Sequence, residues 1–157
     1  MPAQQNASIA QCREALMTCI GRLKTPDYSV TIPRSHVYPM YDSKIVNSNL
    51  DSAYPKAFVV GESGKRKRNI SNQVTKTYRF LIIIVLKQLT EPKPNELIST
   101  QLITDVVDDF STILDLDDTL GGLVTDAQVT EFAVDSGVTY PEAIAVITVE
   151  ILNLFGS

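Results

Sequence analysis

The sequence is poor in the residues from which most catalytic and metal centres are built. It contains one histidine, His36, and two cysteines, Cys12 and Cys19. This set cannot complete a zinc site, and His36 has no second histidine to work with. The two cysteines lie seven residues apart on a predicted helix, which separates them by about 10.5 Å, too far for a disulfide. We therefore expect small core side chains there, and neither a metal centre nor a cofactor.

Long apolar runs are also missing. The longest, from Phe80 to Leu86, has seven residues, whereas a membrane-spanning helix needs about 20. The first residues, MPAQQNASIAQC, do not place an apolar stretch after a basic one, as a secretory signal would. We expect a soluble product that is not exported and has no membrane partner. At 157 residues, with 44% hydrophobic and 20% charged, the chain fits one globular domain.

Positive charge is absent from the C-terminal part of the sequence. All 14 lysines and arginines lie at or before Lys93, where 6 acidic residues accompany them, and residues 94–157 carry 12 acidic residues. The two parts therefore have net charges of +8 and −12, which give the overall −4. A basic surface on one copy of the chain could meet an acidic surface on another. The alternative is that water solvates both surfaces.

The apolar spacing predicts two helices. In residues 8–23, apolar side chains recur every three or four positions, and Ser8 with Gln11 predicts a capping box at the start. The second helix is predicted from Asn95 or Glu96 to about Leu114, directly after Pro92 and Pro94. Each helix has one apolar side that must pack against something else.

Strands are predicted between and after the helices. They are Tyr28–Ile32, Ala57–Val60, Thr77–Lys87, Gln128–Val134 and Ala143–Leu154. Long loops are predicted at about 33–56 and 61–76. This order predicts an α+β fold, with a mostly antiparallel sheet and two main helices packed on one face of it.

The strand at Thr77–Lys87 is apolar on both sides. Phe80, Ile82, Ile84 and Leu86 alternate with Leu81, Ile83 and Val85. Such a strand must be covered on both sides, because a bare one would favour aggregation. Helices would cover one side, and a neighbouring subunit is a candidate for the other. This is the first indication of an oligomer.

The stretch DLDDTL reproduces a catalytic motif. Asp115, Asp117 and Thr119 match the D-x-D-x-T of haloacid-dehalogenase-like phosphatases, in which the first carboxylate attacks phosphorus. In those enzymes the motif follows a buried strand, and a later lysine offsets the phosphate charge. Here it follows a predicted helix, and no lysine or arginine comes after it. We therefore expect no enzyme, and a Mg²⁺-dependent phosphatase is the less favoured alternative.

Asp115, Asp117 and Asp118 have two other interpretations. They lie just past the predicted helix end and before Gly121 and Gly122, where Asp and Gly are typical of a turn. They could also form an acidic surface that faces another subunit. Both remain open from the sequence.

The order of elements resembles that of the tail terminator proteins, also called tail completion proteins, of long-tailed bacteriophages. The likeness covers roughly residues 8–154 and is carried by YSVTI, YRFLIIIVLKQ, DTLGGLV and QVTEFAVDSG with AIAVITVEILNL. It implies one domain over 1–157 that assembles as a ring, as a hexamer in that family. Such a ring sits on the last ring of the tail tube, stops polymerisation and presents the surface that joins the head.

The resemblance also implies partners and a location. The partners would be further copies of the chain, the tail tube protein and a neck or head-completion protein, and genomic DNA would pass through the central hole. The protein would be assembled in the host cytoplasm and lie at the head-proximal end of the tail in the virion. Another head–tail connector or neck protein is the nearest alternative.

Four consecutive cations, Lys65, Arg66, Lys67 and Arg68, lie in the second predicted loop. In a ring they would face the phosphates of passing DNA without reading its sequence. They could instead dock on an acidic tube or neck surface, or form a solvated hairpin tip. An isolated nucleic-acid-binding module is disfavoured by the negative net charge.

Overall fold

The computed structural model describes residues 6–39, 54–88, 99–135 and 142–156. These residues form two α-helices, α1 (Ile9–Ile20) and α2 (Ser99–Leu116), and one short 3-10 turn at Arg34–His36. The strands are β1 (Val37–Tyr38), β2 (Lys56–Arg68), β3 (Gln73–Lys87), β4 (Asp126–Asp135) and β5 (Glu142–Gly156).

Helix α1 begins as its sequence predicts. The Ser8 hydroxyl accepts a hydrogen bond from the Gln11 N–H at 3.1 Å, and the Gln11 side chain accepts one from the Ser8 N–H at 2.9 Å. This confirms the capping box, which satisfies two N–H groups that the helix itself cannot pair. The buried side of α1 includes Cys12 and Cys19, which are both free. The two cysteines are core residues, as expected.

The sheet is centred on β3. The strand order is β1-β2-β3-β5-β4, and every pairing is antiparallel except the short parallel one of β1 with β2. Strand β5 pairs with β3 along its whole length, from Gln73↔Gly156 to Lys87↔Glu142. Because β1 reaches only Ala57 and Phe58, the rest of β2 is one edge of the described sheet, and β4 is the other.

The two helices cover one face of this sheet. The buried residues Phe80, Ile82 and Ile84 of β3 belong to one core cluster with Leu16 of α1 and Phe110 of α2. The alternate residues of β3, such as Leu81 and Ile83, point to the other side, which we call the outer face. The prediction of an α+β fold with two helices and a mostly antiparallel sheet is confirmed, as is the doubly apolar central strand.

The prediction of a loop at 61–76 is wrong. Residues 61–68 continue β2 and residues 73–76 begin β3, so only the turn Asn69–Asn72 separates the two strands. The side chains of Lys65–Arg68 are exposed, as is typical of charged residues on an edge strand, while the backbone of this part of β2 pairs with β3. Of the loop predicted at about 33–56, residues 40–53 lie outside the described part, and its described beginning forms the 3-10 turn and β1.

The prediction of a strand at Tyr28–Ile32 is also wrong. This segment is irregular in the structure, and Asp109 of α2 holds it by accepting hydrogen bonds from the N–H and the hydroxyl of Ser29. Val30 and Ile32 are nevertheless buried in the core. The alternation therefore marked which side chains are buried, although no strand in the described part of the chain pairs with this segment.

The second helix differs from its prediction at the C-terminal end. Helix α2 runs to Leu116, so Asp115 is still helical instead of lying past the helix end. Its predicted start at Asn95 or Glu96 lies outside the described residues.

Candidate interaction surfaces

The outer face of the sheet carries an apolar groove of about 400 Å³. It is lined by Phe58, Val60, Leu81, Ile83, Val85, Ile144 and Val146, with Glu142 among the lining residues. The register explains it: Phe58 pairs with Ile83, and Ile83 pairs on its other side with Val146. Residues directly opposite each other share a face, so three adjacent strands place apolar side chains on the same side.

The groove leaves several apolar side chains partly exposed. Phe58 and Val85 are buried at its floor, while Val60, Leu81, Ile83 and Val146 are half-buried. Burying such aliphatic groups against another apolar surface is favourable by about 25 cal/mol per Å² of apolar area. The sequence had marked Leu81, Ile83 and Val85, but it missed Phe58 and Val146. Phe58 and Val146 also lie in alternating stretches of the sequence. Only the register of the sheet shows that their side chains lie on the outer face.

Charged and aromatic side chains close one end of the groove. The Tyr54 hydroxyl donates to Glu142 Oε1 at 2.7 Å, and the Nζ atoms of Lys56 and Lys87 lie 4.3 and 5.2 Å from the centre of the Tyr54 ring. Lys56 is only 1% exposed. Burial lowers the pKa of Lys56, and the Glu142 carboxylate partly opposes this shift. No sequence pattern pointed to this cluster, which forms because β2 and β5 begin where β3 ends.

Both cysteines are buried, and the histidine contacts the backbone. His36 Nδ1 lies 3.0 Å from the Pro55 carbonyl oxygen. Burial raises the pKa of the Cys12 thiol to about 11, and burial also raises that of Cys19. Both cysteines therefore stay protonated at neutral pH. They are weak nucleophiles in this form, because the thiolate is the reactive species.

The four consecutive cations lie on the edge strand. Lys65, Arg66, Lys67 and Arg68, which we call the basic margin, occupy the end of β2, and all four are exposed. Lys65 pairs with Thr77 and Lys67 with Thr75, so these two lysines lie on the outer face, and the arginines lie on the helix side. None of the four belongs to an ion pair within the described ranges. Ile70, in the adjoining turn, is fully exposed.

Asp115, Asp117 and Asp118 do not act as one cluster. Asp117 Oδ2 lies 2.9 Å from Arg22 Nη1, and its Oδ1 accepts a hydrogen bond of 2.8 Å from the Gly121 N–H. Burial would raise the pKa of Asp117, but the Gly121 N–H and the Arg22 guanidinium together lower it. Asp117 is therefore used inside its own subunit, as the turn interpretation requires. In the part of the chain that the structure describes, no three His, Cys, Asp or Glu side chains are grouped for a metal ion.

The other acidic residues line the solvent side of α2. Asp105, Asp108, Asp115 and the following Asp118, which we call the acidic face, are all exposed. Leu116 lies beside them and is 79% exposed. The last turn of α2 contains no basic residue, although cations are favoured at a helix C-terminus and anions are not. Asp109, by contrast, faces inward to Ser29.

The basic margin and the acidic face lie on opposite sides of the subunit. The basic margin is on the β2 edge, whereas α2 packs mainly on β4 and β5. Three inter-strand spacings separate β2 from β4, which is about 14 Å across the sheet.

No protein-family model matches the chain, and a search of curated proteins finds no significant match. Among the described helices, neither is long and apolar enough to cross a membrane.

Proposed function

We propose that this protein is a structural subunit of a phage tail, a tail terminator that assembles as a six-membered ring and has no enzymatic role. The observation that carries the proposal is the apolar groove on the outer face. The two helices of the described residues cover only the opposite face of the sheet. A second apolar face that stays exposed in the isolated subunit favours association with another protein surface.

The resemblance to tail terminators supports the same role. It rests on an order of elements. The described chain has α1, the β2–β3 hairpin, α2 and the β4–β5 pair in that order, but the strand expected at YSVTI is irregular. In this role the neighbouring copy covers the outer face, and contacts repeated around an axis close into a ring.

The two sides of such a ring differ, and this difference would end the growth of the tail tube. One side of the ring matches the end of the tail tube, and the other side lacks the surface that a further tube subunit would bind. Polymerisation stops there, and a neck or head-completion protein docks instead. Genomic DNA passes through the hole with contacts that depend on phosphate charge alone. The protein is thus assembled in the host cytoplasm and ends at the head-proximal end of the tail.

Assembly of the purified protein tests the proposal. We expect light scattering and negative-stain electron microscopy to show ring-shaped particles with the mass of six subunits. Val146→Lys should abolish them, because it places a charge in the half-buried groove. Gln128→Lys adds the same charge at an exposed position of β4 and should leave assembly intact. Circular dichroism would show that both variants are folded.

Two results would overturn the proposal. One is a wild-type protein that is monomeric at all concentrations and absent from purified tails. The other is Mg²⁺-dependent phosphatase turnover that Asp115→Asn abolishes, which would favour the enzyme. Cryo-electron microscopy of virions would separate a tail terminator from another connector or neck protein by its position.

A further inference from the structure

The basic margin concentrates positive charge that no ion pair among the described residues compensates. Its four cations follow one another on β2, and Arg66 lies directly opposite Lys76 of β3. Like charges opposite each other in a sheet are destabilising. The isolated subunit therefore bears an electrostatic cost at this edge, which an anionic partner would relieve.

The acidic face has the opposite imbalance. Asp105 and Asp108 are three residues apart on α2, a spacing at which like charges repel. Asp115 lies at the helix C-terminus, where the helix dipole disfavours an anion. Within the described residues, the acidic face contributes to none of the ion pairs.

These two surfaces are placed so that they cannot neutralise each other within one subunit. One lies on the β2 edge and the other on the side of β4 and β5. Complementary patches on opposite sides of a molecule suit a head-to-tail contact, in which every copy uses both.

The basic margin also shares strand β2 with the apolar groove. Val60 lines the groove, and Lys65 and Lys67 lie further along the same strand on the same face. A neighbour that covers the groove near β2 would therefore also reach the lysines. Ile70 beside the basic margin and Leu116 beside the acidic face are exposed aliphatic side chains that such a contact would bury.

From this placement we infer that the basic margin of one copy binds the acidic face of α2 in the next copy. The inference rests on the proposed function and names the surfaces through which its subunits meet. DNA or an acidic tube surface would also attract the cations, but it would leave the acidic face uncompensated. A second copy satisfies both surfaces with one contact.

Charge reversal in two variants tests the inference. The first variant, Lys65→Glu with Lys67→Glu, makes the margin acidic, and the second, Asp108→Lys with Asp115→Lys, makes the face basic. In each variant alone, like charges would face each other across the contact between copies. We therefore expect the protein concentration at which half of the subunits are assembled to rise at least about tenfold. An equimolar mixture should assemble again, because each variant then presents the charge that the other needs. A chain with all four substitutions should also assemble.

Lys24→Glu is the control. It changes net charge in the same direction as the first variant at an exposed residue outside the basic margin, and it should assemble like the wild type. Urea denaturation would establish that every variant is folded.

The outcomes separate the two proposals. If the first variant assembles like the wild type but loses salt-sensitive binding to a short DNA duplex, the cations face DNA. The inference then fails while the ring remains. It also fails if neither the mixture nor the four-substitution chain assembles although the wild type does. If the wild type is monomeric at all concentrations and absent from purified tails, the proposed function fails, and the inference with it.

Discussion

Among individual side chains, Asp117 has the best-defined environment. It belongs to the D-x-D-x-T match, yet in the structure it links the turn after α2 to Arg22, which follows α1. Both partners of this ion pair are partly exposed, with 48% of the Arg22 side chain and 23% of the Asp117 side chain accessible. Solvent therefore screens the pair, and its contribution is modest.

We expect Asp117→Asn to lower the free energy of unfolding at pH 7 by about 0.5–1 kcal/mol. Because folding lowers the pKa of Asp117, its stabilisation is complete above the ordinary carboxyl pKa of about 3.9. It is lost as the pH falls through the lowered value, since the protonated carboxyl no longer pairs with Arg22. The difference between wild type and variant should therefore shrink below pH 4, as urea denaturation across pH would show.

Asp118→Asn provides the control for this measurement. Asp118 is the next residue and is exposed, and in the described structure it takes part in no ion pair. It should change stability by less than about 0.5 kcal/mol. Equal effects of the two substitutions at pH 7 would show that the Arg22 pair contributes nothing.

The turn between α2 and β4 depends on backbone conformations that most residues resist. Leu120, Gly121 and Gly122 have φ angles of 50°, 69° and 88°. Glycine adopts this left-handed region without steric cost, while other residues pay for it. The turn directs the chain from the helix layer back to the sheet, so it also sets where β4 begins.

Gly122→Ala should therefore destabilise the protein by about 1–2 kcal/mol. For a chain of this size that corresponds to a melting temperature lower by roughly 2–8 °C. Gly156→Ala is the matched control, because an added Cβ meets no atom within 4 Å at either glycine and only Gly122 has a positive φ. Thermal melts that fall equally for both would contradict the role of the turn.

The molecule as a whole separates its charges across the sheet. The β2 edge is basic and the α2 side is acidic. A contact between them weakens with salt, because the Debye length falls from about 10 Å at 0.1 M to about 3 Å at 1 M. A purely apolar contact through the groove would not weaken in the same way.

We therefore expect the assembled fraction, measured by sedimentation at fixed protein concentration, to fall as sodium chloride is raised over this range. The fold of the subunit should change little, as circular dichroism would show. A variant with Lys67→Gln and Asp115→Asn, which neutralises one residue on each surface, should respond less steeply. Assembly that is independent of salt in the wild type would point to the groove alone.

Local patterns were sufficient for several elements. The Ser8–Gln11 capping box, the apolar side of α1 and the doubly apolar β3 involve residues close in sequence, so their spacing carries the information. The same reasoning predicted two helices and a mostly antiparallel sheet. It gave less for the candidate surfaces. The four cations, Asp115 and Asp118 were identified, but Asp105 and Asp108 were not, and neither was the position of the cations on an edge strand.

The order of amino acids alone indicated most of the buried side chains and where the charges lie along the chain, because hydrophobicity and charge are properties of each residue. The burial of Lys56 and the exposure of Ile70 and Leu116 depended on the fold. Only the tertiary structure decided that Lys65–Arg68 extends a strand and that Tyr28–Ile32 does not, since pairing depends on a distant partner. It likewise joined Phe58, Ile83 and Val146 into one groove and Asp117 to Arg22. These contacts link residues far apart in sequence, and the register of the sheet and the packing of the helices bring them together.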